Sequence, residues 1–252
     1  MSAAARWRLG LVVGLVVLLE IASRAAWINP VSFIPPSRMI VSAVQLLLSG
    51  QYTTDILQTI CSALLAVVLA VVVGFVGGVV LFRLPRVRRV LDPLLLSYYA
   101  VPVFVLYPIL IVLLGLNRWP LVGIGFLFAV VAMAVNTLNG LERVPRVLMR
   151  TARVCRLNTF DEIRLITLPS SLPFVFTGIK LTVVYAIIAV VAGEFVLSGS
   201  GFGYQIAFAY NNFDNPTMYG LMVLMLLFVG TLNALLRAAE ARLYRRIRRG
   251  GA

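Results

Sequence analysis

The chain has 252 residues, of which 61% are apolar and only 12% charged. A soluble domain of that length cannot bury so much apolar surface, so lipid is the expected solvent. The formal net charge of +13 does not call for nucleic acid, because the basic residues flank apolar runs, where membrane topology accounts for them. With no histidine and two cysteines, a zinc or haem site is excluded. An internal disulfide is not expected, since Cys61 falls in an apolar run and Cys155 in a charged loop.

About 20 apolar residues cross a bilayer as a helix, and six segments qualify: Leu9–Trp27, Ile56–Phe82, Leu94–Leu116, Trp119–Leu138, Ser170–Leu197 and Met218–Leu236. They predict an all-α integral membrane protein with a single domain over 1–252. The first run is too long for a signal h-region and lacks a small-x-small site, so it reads as a retained span. Glu20 and Arg24 in it stand at i and i+4 and predict a structural pair. The loop Asn29–Gly50 carries Pro30, Pro35 and Pro36, then an amphipathic stretch Ser37–Leu48 with Ser37 as its cap, suited to lie along an interface. Gly74, Gly77 and Gly78 in the second run read as helix-packing positions.

The third run is irregular. Pro102 and Pro108 interrupt it beside Tyr98, Tyr99 and Tyr107. This pattern fits either a packing kink with interfacial tyrosines or a discontinuous span lining a solute path. Asn136 and Asn139 in the fourth run can line such a path or bond between helices. The fifth run holds two ionisable residues, Lys180 and Glu194, fourteen residues or about 21 Å apart, too far to pair in one straight helix. Lys180 reads as structural, while Glu194 can bond amides of the Gly199–Gly203 turn or belong to an outer gate.

The charges orient the spans. Arg6 and Arg8; Arg83, Arg86, Arg88 and Arg89; Arg143, Arg146, Arg150, Arg153, Arg156 and Arg164; and the arginines from Arg237 to Arg249 all fall on one side. The positive-inside rule places that side, both termini and the loop 141–169 in the cytoplasm. In this loop Val144, Val147, Leu148, Thr151, Val154 and Cys155 recur at helical spacing, with arginines on a neighbouring face and Pro145 in the first turn. A second helix begins at Thr159-Phe160-Asp161-Glu162, which reads as a capping box with Thr159 as the cap. It is expected to end at Leu168-Pro169, before the fifth span. Such a hairpin suits docking on a protein or lying on anionic headgroups, and the pattern alone does not choose.

The end of this loop resembles the cytoplasmic signature of bacterial ABC-importer permeases, in which Glu-Ala-Ala, three residues, Gly, nine residues and Ile-x-Leu-Pro form the coupling helices. Ile166, Leu168, Pro169 and Ala152 match; Arg150 stands at the glutamate, Thr151 at the first alanine and Arg156 at the glycine. Elsewhere Ile34-Pro35-Pro36-Ser37, Arg88-Arg89-Val90-Leu91-Asp92-Pro93, Thr177-Gly178-Ile179-Lys180, Gly193-Glu194-Phe195 and Gly199-Ser200-Gly201-Phe202-Gly203 resemble the sulfonate/nitrate/taurine-like subfamily.

The resemblance implies a type I importer transmembrane fold in a bacterial inner membrane. It implies a second permease copy or a homologous permease, two ATPase subunits carrying ATP and Mg, and an extracytoplasmic solute-binding protein. No cofactor is expected on this chain, which has no P-loop. Coupling to the ATPases is expected at Arg150, Arg153, Cys155, Arg156, Leu157, Phe160, Ile163 and Leu168. The path is expected at Tyr98, Tyr99, Tyr107, Asn136, Asn139 and Glu194. The arginine at position 156 predicts that the bend is made by means other than the family glycine, and the degenerate start Arg150–Arg156 makes a heterodimer plausible beside a homodimer. A standalone channel or secondary transporter is the alternative. A membrane enzyme is disfavoured because the nine acids form no cluster.

Overall fold

In hydrocarbon every backbone N–H and C=O must be satisfied within the protein, and a helix does this unaided. The computed structural model follows that rule: among the described residues, 3–25, 27–29, 32–98 and 101–249, every regular element is helical. In chain order these are α1 (Ala3–Arg24), α2 (Pro36–Ser49), α3 (Thr53–Arg83), α4 (Pro85–Ser97), a 3-10 turn (Val103–Leu106), α5 (Tyr107–Leu114), α6 (Trp119–Glu142), α7 (Arg146–Val154), α8 (Thr159–Glu162), a π-turn (Ile163–Thr167), α9 (Leu168–Leu197), α10 (Phe202–Asn211) and α11 (Asn215–Arg249). Four helical stretches, built on α3, α6, α9 and α11, are long and apolar enough to cross a membrane. The first predicted run forms α1. The third is divided among α4, the 3-10 turn and α5.

The proline reading of that third run holds in a modified form. Pro102 precedes the 3-10 turn, but Pro108 sits in the first turn of α5. There its missing N–H leaves nothing unbonded, so it starts a helix rather than interrupting one.

The chain packs as two compact units. One comprises the chain to Gln58 together with Glu194–Leu232; the other comprises Thr59–Gly193 and the chain from Asn233 onward. In the first unit, Phe202, Ile206, Ala209, Met218 and Leu221 form a core, flanked by Leu46, Tyr52 and Ile56. The Glu20–Arg24 pair is present at 2.6 Å. Ser37, however, is not the cap of α2, whose N-cap is Pro35. The Ser37 amide and hydroxyl donate to the Glu20 carboxylate at 2.9 and 2.7 Å, so a carboxylate carried on α1 satisfies the positive start of α2.

In the second unit α6 is the most enclosed of the long helices. Gly74 and Gly78, one turn apart on α3, explain part of that. A Cβ on Gly74 would stand 2.6 Å from Met133 Cβ and from the Val130 carbonyl oxygen; one on Gly78 would stand 2.6 Å from the Ala134 carbonyl oxygen and Thr137 Cβ. Only glycine lets the two backbones come this close. Gly77 meets nothing within 4 Å, so two of the three predicted packing glycines serve that purpose. Beside them Val103, Tyr107, Leu121, Ile124 and Ala189 form a core. Lys180 is tied to Glu240 at 2.7 Å, which gives the structural role expected of it a named partner.

Candidate functional site

The segment after α6 is the region in which sequence reading and geometry differ most usefully. Pro145 stands immediately before α7, its carbonyl accepting from the Leu148 amide at 3.0 Å. Ala152 is 1% exposed, whereas Val147 and Val154 are 69% and 83% exposed. Val144 and Met149 turn toward an apolar cavity of about 500 Å³, shared with Phe75, Val79 and Leu168. The helix therefore rests on the body through Met149 and Ala152. It turns Val147, Leu148, Thr151, Val154 and Cys155, most of the predicted apolar stripe, outward. Arg150 is exposed; the side chain of Arg153 lies outside the described residues.

The bend comes next, and it is not made by other means. Arg156 itself adopts φ 50°, the left-handed conformation that L-residues rarely visit. The Leu157 amide reaches back to the Ala152 carbonyl at 3.0 Å and the Cys155 amide to Thr151 at 2.9 Å. This six-to-one bond is the Schellman closure of a helix, with Arg156 at the position glycine usually takes. The arginine itself supplies the left-handed residue that glycine most readily provides at such a helix end.

The following helix is capped one residue earlier than expected. Asn158 Oδ1 accepts from the Asp161 amide at 2.8 Å, and the Asn158 carbonyl accepts from the Glu162 amide at 2.9 Å. Asn158 is therefore the cap in place of Thr159, and Asp161 and Glu162 lie in the first turn near the positive helix end. Phe160 and Ile163 project outward, 69% and 42% exposed. The helix does not end at Leu168-Pro169. It widens into the π-turn Ile163–Thr167, where the Leu168 amide bonds to the Ile163 carbonyl, and continues directly into α9 with Pro169 in its first turn. A π-turn inside a helix commonly marks a functional position.

The proposed path residues separate into three groups. Asn136 and Asn139 line a cleft of about 420 Å³ together with Arg88, Asp92 and Tyr185. Arg88 is held there by Asp92 at 3.3 Å and by both carboxylate oxygens of Glu142. Tyr98 donates to the Leu127 carbonyl at 2.7 Å and Tyr107 is buried in the core, so both contribute to packing. Tyr99 lies outside the described residues.

Glu194 is 1% exposed and accepts from the Gly203 amide at 2.9 Å. Asp55 accepts from the Gly201 amide at 3.0 Å and from Gln205 Nε2 at 3.1 Å. Two carboxylates thus close the first turn of α10, and Glu194 makes the amide bond that is one of its two expected roles. Asp55, Glu142 and Glu240 were not singled out by sequence reading. The only available signal was an acid in or near an apolar run, which names a charge but not its partner.

A family model described as "Binding-protein-dependent transport system inner membrane component" matches residues 66–249. A probable ABC transporter permease protein of Brucella melitensis is 31% identical over 212 residues, covering 82% of this chain and 85% of that relative. The formylaminopyrimidine transport permease protein ThiX of Halalkalibacterium halodurans is 29% identical over 84% of this chain and 85% of its own. The nitrate import permease protein NrtB of Leptolyngbya laminosa is 27% identical over 68% of this chain and 60% of its own. Among solved structures, a chain of the inward-facing MetNI methionine ABC transporter superposes with a TM-score of 0.65 at 18% identity, covering 79% of this chain and 98% of that one, which supports the fold. The matched residues run from α3 through the bend at Arg156 to α11, and the chain belongs to the binding-protein-dependent inner membrane component family, the multi-pass permease subunits of ABC importers.

Proposed function

We propose that the chain crosses the membrane six times with both termini in the cytoplasm, and that residues 146–168 are the lever by which partner ATPases drive it. ATP and Mg are bound and used on those partners. The permease pairs with a second permease chain and receives solute from an extracytoplasmic binding protein. Relatives named for nitrate, bicarbonate and formylaminopyrimidine support a small polar solute as cargo, in the range that runs from nitrate, sulfonates and taurine to vitamin precursors. Because Arg156 takes up the glycine conformation, the departure from the signature gives no reason to require a different partner permease, and a second copy suffices.

One observation carries the coupling reading: apolar side chains that a water-facing loop would ordinarily hide, Val147, Val154 and Phe160, stand outward on a rigidly closed helix pair. Exposed apolar knobs on a fixed scaffold are the form a docking surface takes. The test replaces Cys155, Leu157 and Phe160 together with glutamate in the chain co-expressed with its ATPase. Recovery of the ATPase on the purified permease should fall at least tenfold while the melting temperature of the permease is unchanged. Intact assembly and uptake in that variant would overturn the assignment.

A further inference from the structure

We propose that Arg88 is a positioning residue of the transport cycle: paired with Glu142, it carries movement of the coupling hairpin into α4, one wall of the cleft that Asn136 and Asn139 line. The proposal rests on the coupling reading above and adds to it a route from the hairpin into the spans.

The hairpin has a stiff root. It joins α6 to α9, and these two helices close on each other where it leaves them. A Cβ on Gly140 would stand 2.9 Å from Phe174 Cβ and 3.2 Å from the Ser171 carbonyl oxygen, and the Arg143 guanidinium lies over the Phe174 ring at 5.2 Å. Close packing of this kind transmits a displacement and does not absorb it. Glu142 is the last residue of α6, so it moves with that root.

The helix α4 is held differently. Leu84, at φ −117° and ψ 75°, breaks the chain between α3 and α4, and Pro102, at φ −71° and ψ 93°, is extended beyond its other end. None of the described side chains of α4 is buried. A helix with so little burial depends on its polar ties for its position. Two of these reach α6. Tyr98, at the end of α4, donates to the Leu127 carbonyl. Near its start, Arg88 donates to both carboxylate oxygens of Glu142, from Nη2 at 3.1 Å, while its Nε faces Asp92 of α4 itself at 3.3 Å. Such a two-point fork fixes orientation as well as distance. Arg88, Asp92 and Leu95 form α4's side of the cleft, and Asn136 and Tyr185 belong to α6 and α9. Displacing the root of the hairpin therefore moves α4 through the fork and resets the cleft. The paired side chains are 29% and 37% exposed, so their contribution to folding is small, and removing the pair tests movement more than stability.

The test uses the full chain with its co-expressed ATPase in lipid nanodiscs. Spin labels carried on p-acetylphenylalanine replace Val90 of α4 and Val72 of α3, 69% and 55–60% exposed positions respectively by their place on the lipid-facing surface being 69% and 57%, and leave Cys61 and Cys155 untouched. The distance between the labels is measured without nucleotide and after trapping the ATPase with ATP, Mg and vanadate. In wild type it should shift by about 2 Å or more, the scale on which helices slide in switching proteins. In Glu142→Gln and in Arg88→Gln the ATPase should still trap nucleotide, the nucleotide-free distance and melting temperature should hold, and the shift should fall by more than half. The double variant should lose no more than either single one, because both act through one contact. Arg88→Lys, which keeps the charge but not the fork, should fall between, and it is the second variant should Arg88→Gln not fold. A shift intact in the variants, a loss that accumulates in the double variant, or a wild-type α4 that stays still while the ATPase traps nucleotide overturns the proposal and leaves the coupling reading standing. A wild-type chain that retains no ATPase overturns both.

Discussion

Two turns in this molecule run through left-handed backbone at a position where the family resemblance carries or expects glycine, and they have been filled differently. Gly201, at φ 101°, precedes α10. A Cβ there would lie 2.5 Å from the Glu194 carboxylate, while its amide bonds Asp55. Arg156, at φ 50°, follows α7, and its side chain is exposed. Both positions carry the torsional penalty for an L-residue. Only at Gly201 is the space where a side chain would go already taken by a buried acid. The comparison explains why a side chain can stand at one turn and not at the other: backbone strain alone is tolerable, and strain combined with a steric wall is not.

The largest expected effect breaks the closed turn. Gly201→Ala should destabilise the protein by more than about 3 kcal/mol, combining the left-handed penalty with displacement of a buried carboxylate. Thermal unfolding in detergent measures it. Adding Glu194→Ala opens the space the Cβ needs. The double variant should therefore cost less than the two single changes together, with a coupling on the order of 1 kcal/mol. Strict additivity would show that the wall contributes nothing and that torsion alone excludes side chains there.

A smaller effect tests the second acid. Asp55→Ala removes the acceptor for the Gly201 amide and for Gln205 but leaves Glu194 on the Gly203 amide. Loss of one helix cap costs about 1 kcal/mol, so this variant should melt earlier than wild type and later than Gly201→Ala. A cost equal to that of Gly201→Ala would mean that the turn depends on its acceptors and not on its steric wall.

The long apolar runs were readable because lipid imposes one rule on every residue of a span, and α3, α6, α9 and α11 follow it. Partner choice was not readable in the same way. Glu194 showed a buried charge, but Asp55, which shares its turn, is far away in sequence; Lys180 was recognised as structural while Glu240, sixty positions on, was not. At the start of α8 two adjacent residues, Asn158 and Thr159, both suit a cap, and the choice is set by where the Schellman closure delivers the chain. The helix α10 escaped notice because its ten residues follow a glycine-rich turn and are too few to register as a span. The docking loop was legible in composition, but the side on which its apolar stripe would lie was not: helical periodicity defines a face, and only packing decides whether that face is covered.

The smallest effect, at the open turn, is the sharpest test of the comparison. Arg156→Gly removes a left-handed strain of about 1–2 kcal/mol and adds roughly 0.4–1 kcal/mol of backbone entropy to the unfolded chain. The net is a gain of about 0.5–1 kcal/mol, visible as a modest rise in melting temperature. Arg156→Asn, whose side chain tolerates this region, should fall between arginine and glycine, and Arg156→Val, β-branched, should melt below wild type. The order glycine, asparagine, arginine, valine is what torsion alone predicts for a position with open space around it. If glycine instead lowers the melting temperature, the arginine must contribute an interaction larger than the strain it imposes, and the open turn would be held by its side chain much as the closed one is held by its acids.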